Sequence, residues 1–232
     1  PMGGAKGGSD FDPKNKSDNE IKTFCYAFMK KLYKYIGEDI DVPAGDIGVG
    51  SKEIEYLYNA YKEYSGKSDC ALTGKPIYLG GSLARKEATG FGLVYFASEA
   101  LKKYNNDSFK GKKVIISGSG NVALYAMKKV IELGGIVIGM SDSSNAIYVP
   151  DGIDFETIRE LKEDKKARIK EYALIKDNVI VLNSSKDIWK IKCDVALPCA
   201  TQFELDELDA KELIDNGVIG VFEGANIAST YK

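Results

Sequence analysis

The chain has 232 residues, with 32 Lys+Arg against 34 Asp+Glu, a formal charge of -2, 44% hydrophobic and 28% charged residues. This balance describes a globular protein of one large or two modest domains, not a disordered polyelectrolyte, and no basic stripe marks nucleic acid as a partner. Histidine is absent, which excludes a Ser-His-Asp or Cys-His centre and any histidine-ligated metal within this chain and leaves proton transfer to lysine, carboxylate, tyrosine or cysteine.

The opening "PMGGAKGGSD" sets Lys6 among Gly3, Gly4, Gly7 and Gly8. Glycine lets backbone crowd a small ligand, and a lysine desolvated there loses proton affinity and can act as a base or activate water. "SDNEIKTFCYAFMKKLYKYIG" follows, with Ser17 and Glu20 in capping-box spacing and Ile21, Cys25, Phe28, Met29, Leu32 and Ile36 on one face, which predicts an amphipathic helix. "DVPAGDIGVG" (41–50) is a constrained Gly/Pro loop carrying Asp46, a carboxylate able to shuttle a proton. By themselves Lys6 and Asp46 read more readily as solvated charges on glycine-rich loops. "SKEIEYLYNAYKEY" resumes helical spacing through Ile54, Leu57, Tyr58 and Tyr61, and after the loop "LTGKPIYLGGSLARKEATG" a further helix runs through Val94, Tyr95, Ala97 and Leu101.

From Gly111 onward short β-branched runs, "KVIIS" (113–117), "IVIGM" (136–140), "VIVL" (179–182), "CDVALP" (193–198) and "VIGVF" (218–222), mostly alternate with helical stretches. That alternation predicts βαβ units on a parallel sheet covered on both faces. The fold class expected is α/β, a Rossmann-type parallel sheet domain (89–232, incomplete at its C-terminus) following a partial α/β substrate domain (1–88). Cys25, Cys70, Cys193 and Cys199 show no metal-ligand spacing and are expected to be reduced core residues, with no metal site. No apolar run reaches the roughly 18 residues of a membrane span and no signal pattern opens the chain, so no membrane partner and a reducing, cytoplasmic location are expected. Pro at position 1 and the ending "GANIASTYK" suggest a piece of a longer protein.

The first βαβ unit carries Gly118-Ser119-Gly120-Asn121-Val122-Ala123 between strand and helix. Gly118 suits a tight turn, Gly120 offers bare backbone to a pyrophosphate, and Ala123 lets helix pack on strand, while the helix N-terminus presents N–H groups to the phosphates. Asp142 ends the next strand, 24 positions after Gly118, near the expected interval of about 20. A lone carboxylate there favours NAD, but Ser141, Ser143 and Ser144 around it are donors able to hold a 2′-phosphate, and the same "SDSSN" run also reads as a plain turn.

Taken in order, "PMGGAKGGSDFDP", "DVPAGDIGVG", "LTGK", "GGSLARKEATGFG", "GSGNVA", "SDSS", "PCATQ" and "EGAN" resemble the hexameric glutamate dehydrogenases, and specifically their NADP-dependent biosynthetic branch. The resemblance runs through nearly the whole chain and implies reversible oxidative deamination of L-glutamate to 2-oxoglutarate and ammonia, with NADP as cofactor and a homohexamer as assembly. It implies that Lys6 polarises the substrate carbonyl and activates water and that Asp46 passes a proton to the reacting nitrogen. It further places Gly45 and Arg85 on the substrate side and Thr89, Ala200, Thr201 and Asn226 toward the nicotinamide, beside the phosphate-loop residues Gly118, Gly120, Asn121 and Val122 and the strand-end residues Ser141, Asp142 and Ser143. The family usually has Pro where Lys86 stands and "GANMPTT" where this chain reads "GANIAST", and its chain is roughly twice as long, with upstream substrate-binding lysines and a downstream serine that are not in these residues. An NAD-dependent dehydrogenase of the Leu/Phe/Val type, or a fragment that binds NADP without catalysis, are the other readings.

Overall fold

The computed structural model describes residues 4, 7–46 and 48–231, and the chain divides into two compact units, Pro1–Arg85 and Lys86–Lys232. In the first unit α1 (Asp18–Leu32) starts at a capping box, in which the Ser17 hydroxyl accepts from the Glu20 N–H at 3.3 Å and the Glu20 carboxylate accepts from the Ser17 N–H at 2.8 Å. These bonds satisfy two of the donors that a helix N-terminus leaves open. α1 packs on α2 (Ser51–Ser65), burying Met29 and Ile36 against Ile54, Tyr58 and Tyr61. Phe28, expected on the core face, is 39% exposed and its ring lies 6.1 Å from that of Phe24, which stacks on Phe11 at 4.2 Å. Among its described residues this unit holds these two α-helices and two short 3-10 turns, and no strand.

The second unit begins with α3 (Ala88–Ala100), followed by β1 (Lys113–Ile116), α4 (Asn121–Glu132), β2 (Ile136–Ser141), β3 (Ala146–Tyr148) and α5 (Phe155–Arg159). β4 (Ile180–Leu182), β5 (Val195–Leu197), α6 (Glu207–Asp215) and β6 (Gly220–Val221) complete it. The six strands form one sheet in the order β4-β3-β2-β1-β5-β6. β1, β2, β5 and β6 pair in parallel, as the strand–helix alternation predicts. β3 runs antiparallel to both β2 and β4, so "VIVL" has the direction of the parallel strands but pairs with an antiparallel one that the expectation lacked. The physical reason is local: only four residues, Asp142–Asn145, separate β2 from β3, a hairpin connection too short for the crossover that a parallel strand needs.

Residues of the parallel strands alternate between two cores. Val114, Ile116, Val137, Met140, Val195 and Leu197 face α3, α4 and α5, whereas Ile115, Ile138 and Ala196 face Trp189, Ile188 and Leu213. A sheet covered on both faces demands the continuous β-branched runs seen in the sequence, each fully buried Val, Ile or Leu contributing roughly 1.5–3 kcal/mol. The cysteine expectation holds for Cys25, Cys193 and Cys199 but not for Cys70, which is exposed in the loop after α2; all four are free thiols. Burial pushes the Cys25 thiol up to about 11 and the Cys193 thiol up to about 12, and raises that of Cys199 too, so these three stay protonated at neutral pH. Among the described residues no helix is long and apolar enough to cross a membrane, and no cluster of acidic or thiol side chains could hold a metal ion.

α3 lies against α4 through Gly90. A Cβ there would meet the Ala126 nitrogen at 2.5 Å and the Val122 oxygen at 2.6 Å, both backbone atoms that cannot step aside. Gly90→Ala should therefore lower stability by about 1–3 kcal/mol through overpacking. Gly92→Ala, on the same helix with nothing within 4 Å of its new methyl, should raise it by up to about 1 kcal/mol from helix propensity. Thermal unfolding of the two variants beside the parent checks both signs.

Candidate dinucleotide site

Because β1, β2, β5 and β6 run parallel, their carboxyl ends share one edge of the sheet. The chain order reverses between β1 and β5, which is the switch point where open α/β sheets bind ligands. Backbone bonds draw these ends together. The Ser117 N–H donates to the Leu197 carbonyl at 3.1 Å, and the Cys199 N–H donates to the Ser117 hydroxyl at 2.8 Å. After β6, the Gly224 and Ala225 N–H groups donate to the Pro198 carbonyl at 2.7 and 3.1 Å. The Phe203 N–H then donates to the Ile227 carbonyl at 2.9 Å. These bonds tie the loop carrying Ala200 and Thr201 to the loop carrying Asn226, and all three residues are exposed.

The glycine turn does what its residues predict. Gly118 has φ +82, a left-handed conformation favouring glycine, and a Cβ there would stand 3.0 Å from the Ala200 Cα. Gly120 precedes α4 with no side-chain cap, and a Cβ on it would stand in open space. A phosphate can therefore approach the bare backbone of Gly120, Asn121 and Val122 and meet the uncapped N–H groups of a twelve-residue helix. Ala123 is fully buried beneath the turn. These features fit the pyrophosphate of a dinucleotide. Thr89 is exposed in the first turn of α3, next to the Gly90 contact with Val122.

The residues after β2 separate into two roles. Ser141 is 2% exposed and its hydroxyl accepts from the Gly118 N–H at 3.0 Å, so this serine braces the glycine turn. Asp142 is 8% exposed. One carboxylate oxygen accepts from the Ser144 and Asn145 N–H groups at 2.8 and 3.1 Å, and the other from the Ile169 N–H at 2.9 Å. Burial opposes its charge, yet these backbone donors, with the Lys162 ammonium 3.9 Å away, hold the carboxyl below the usual carboxylate range. Lys162 in turn donates to the Ala167 carbonyl at 2.7 Å, and burial lowers its own amine against the pull of Asp142. Ser143 is exposed and accepts from Arg168 Nη1 at 2.8 Å.

Arg168 and Lys162 are functional candidates that the sequence reading passed over. The available signal was the basic run "KEDKKARIK" (162–170), which lacks a local motif and reaches β2 only through the tertiary fold. In the first unit, Gly45 and Asp46 lie on the exposed loop ahead of α2, where the Val49 N–H donates to the Asp46 carbonyl at 2.9 Å. A Cβ at Gly45 would meet the Val49 carbonyl oxygen at 2.5 Å, so this turn requires glycine. Arg85 is exposed at the end of that unit. Lys6 lies outside the described residues. Lys86, where the resembled family has Pro, makes an ion pair with Glu163 at 2.6 Å and sits over the Tyr125 ring at 5.6 Å.

The sequence profile of the glutamate/leucine/phenylalanine/valine dehydrogenases matches residues 80–232, and that of the Glu/Leu/Phe/Val dehydrogenase dimerisation domain matches residues 1–63. The NADP-specific glutamate dehydrogenase of Helicobacter pylori J99 is 51% identical over 235 residues, an overlap covering 99% of this chain and 52% of that protein. The NADP-specific glutamate dehydrogenase of Escherichia coli K12 is 48% identical over 100% of this chain and 52% of its own length. A crystal structure of Plasmodium falciparum glutamate dehydrogenase superposes with a TM-score of 0.89 at 48% identity, over 96% of this chain and 48% of that one. The chain spans about half the length of the curated relatives it matches. With one profile covering more than half of its residues and a second covering its start, the chain belongs to the Glu/Leu/Phe/Val dehydrogenase family.

Proposed function

We propose that this chain serves the NADP-dependent, reversible oxidative deamination of L-glutamate to 2-oxoglutarate and ammonia. The observation that carries the reading is the arrangement after β2. Asp142 commits both carboxylate oxygens to backbone N–H groups, while Ser143 and Arg168 stay exposed and bonded to each other. A carboxylate at this strand end that is open to the ribose 2′-OH suits NAD, whereas a guanidinium beside a hydroxyl suits a 2′-phosphate. The names of relatives near 50% identity, NADP-specific glutamate dehydrogenases, support the same choice of cofactor and substrate.

Bound NADP supplies the acceptor for the hydride leaving the substrate α-carbon. The residues of the chain bind, orient and move protons. Gly118, Gly120, Asn121 and Val122 hold the pyrophosphate against the N-terminus of α4, and Ser143 with Arg168 holds the 2′-phosphate. Thr89, Ala200, Thr201 and Asn226 orient the nicotinamide end, and Gly45 and Arg85 serve the substrate. The Lys6 amine, once it has lost its proton, draws a proton from the attacking water, and the ammonium so formed polarises the carbonyl oxygen. Asp46 carries the proton to and from the substrate nitrogen. Residues 1–63 match a dimerisation domain, in keeping with assembly of like chains into a homohexamer, and four free thiols suit a reducing, cytoplasmic setting.

The reading is tested by following nicotinamide absorbance with L-glutamate and with L-leucine in the whole protein. Reduction of NADP with glutamate alone is expected; reduction of NAD with leucine would point to a branched-chain enzyme. Replacing Arg168 by Ala should weaken NADPH binding by about tenfold to a hundredfold, the worth of a charge-assisted hydrogen bond, and leave NADH unchanged. Ser143→Asp should likewise harm NADPH far more than NADH, and equal losses in competitive binding would remove Ser143 from phosphate recognition. Lys6→Ala should abolish turnover with NADPH affinity intact. Asp46→Asn should lower kcat by about two to four orders of magnitude. Normal turnover in either variant would reject its assigned role.

A further inference from the structure

The loop after β5 contains a half-buried acid to which the reaction assigns no task. Glu204 follows Phe203, whose φ of +56 turns the chain back on itself. The Glu204 carbonyl accepts from Trp189 Nε1 at 3.3 Å, which ties its backbone to a side chain at the centre of one core. Its carboxylate reaches the other way. Oε1 accepts from the Ala200 N–H at 2.9 Å and the Thr201 N–H at 3.3 Å. The Ser117 hydroxyl, which already accepts from the Cys199 N–H, donates to the same carboxylate. One side chain thus joins the residue before Gly118 to the two residues that follow Cys199.

We propose that Glu204 is a positioning residue of the dinucleotide site, one that fixes Ala200 and Thr201 at the switch point beside Gly118. The inference rests on the reading that this edge of the sheet binds NADP. Without the carboxylate, two N–H groups of an exposed loop and one hydroxyl lose their shared acceptor. The loop then keeps the bonds at its two ends, from the Cys199 N–H and the Phe203 N–H. Glu223 plays a parallel part in the neighbouring loop, where its two oxygens accept from the Ala228 and Ser229 N–H groups at 3.1 and 3.0 Å.

Burial pushes the Glu204 carboxyl above its ordinary range, outweighing the bonds from Ser117, Ala200 and Thr201, and the like charge of Glu223 adds to it. A group whose proton is held more tightly in the folded state contributes stability that is lost as pH rises through its folded pKa. Its surroundings therefore disfavour the charged form, so a neutral amide at this position is not expected to lower the Tm.

The test is a fluorescence titration of NADPH into the whole protein, with thermal unfolding at pH 7 for each variant. Glu204→Gln retains an oxygen for Ala200 and Thr201 but cannot accept from Ser117 through its amide nitrogen. It should weaken NADPH binding by about tenfold with a Tm at or above that of the parent. Glu204→Ala, losing all three bonds, should weaken binding further than Gln does. NADPH affinity unchanged in a folded Gln variant would overturn the positioning role and leave the cofactor reading intact, as would affinity and Tm falling together in that variant. A parent chain that binds no NADPH would overturn both.

Discussion

A Cβ at Gly118 would stand 3.0 Å from the Ala200 Cα, and the site in the second unit depends on that approach. It brings the turn after β1 against the loop after β5 at the one place where the sheet order reverses. A side chain here would crowd the Ala200 backbone, which would have to give by a few tenths of an ångström, and φ +82 favours glycine at this turn. Once the two segments touch, the rest follows from backbone hydrogen bonding. Ser117 pairs with Leu197 and Cys199, Gly118 leans on the buried Ser141 hydroxyl, and Pro198 receives the loop after β6. The open backbone at Gly120 is left at the centre of this edge, at the start of a helix with no side-chain cap.

Two carboxylates at the periphery of this edge illustrate how burial and hydrogen bonding decide what an acid does. Asp142 and Glu204 are both withdrawn from water and both accept from backbone N–H groups. For Asp142, three such donors and Lys162 prevail, and the group is held ionised. For Glu204 burial prevails and the like-charged Glu223 adds to it. The Asp142 charge is thus spent on the chain's own amides, and the exposed groups next to it are Ser143 and Arg168. Cofactor choice at such a strand end turns on which donors remain accessible, not on the presence of an acidic letter.

What could be read in the sequence was what acts over a few residues. The Ser17–Glu20 capping box, the glycine turn at 118–123 and the doubly covered strands all show in short windows, because caps, turns and side-chain periodicity are local properties. β3 escaped notice as a three-residue strand hidden behind the "SDSSN" turn, and with it the antiparallel pairing of β4. Cys70 was misplaced because Ala71 and Leu72 after it are apolar and buried while its own position in the loop is exposed. Arg168 and Glu204 were not legible for a different reason. Arg168 meets Ser143 across 25 positions, and Glu204 joins Ser117 to Ala200 and Thr201 only once β1 and β5 have paired. Residues whose partners come from tertiary folding carry no motif of their own.

The central claim is that the parallel strand ends around Gly118 and Ala200 bind a dinucleotide bearing a 2′-phosphate. Amide NMR spectra of the chain during NADPH addition test it most directly. Shifts concentrated at Gly118–Val122, at Ser143 and Arg168 and at Ala200–Thr201 are expected, with NADH leaving Ser143 and Arg168 unmoved. Shifts confined to other surfaces, or an unchanged spectrum at saturating NADPH, would contradict the account.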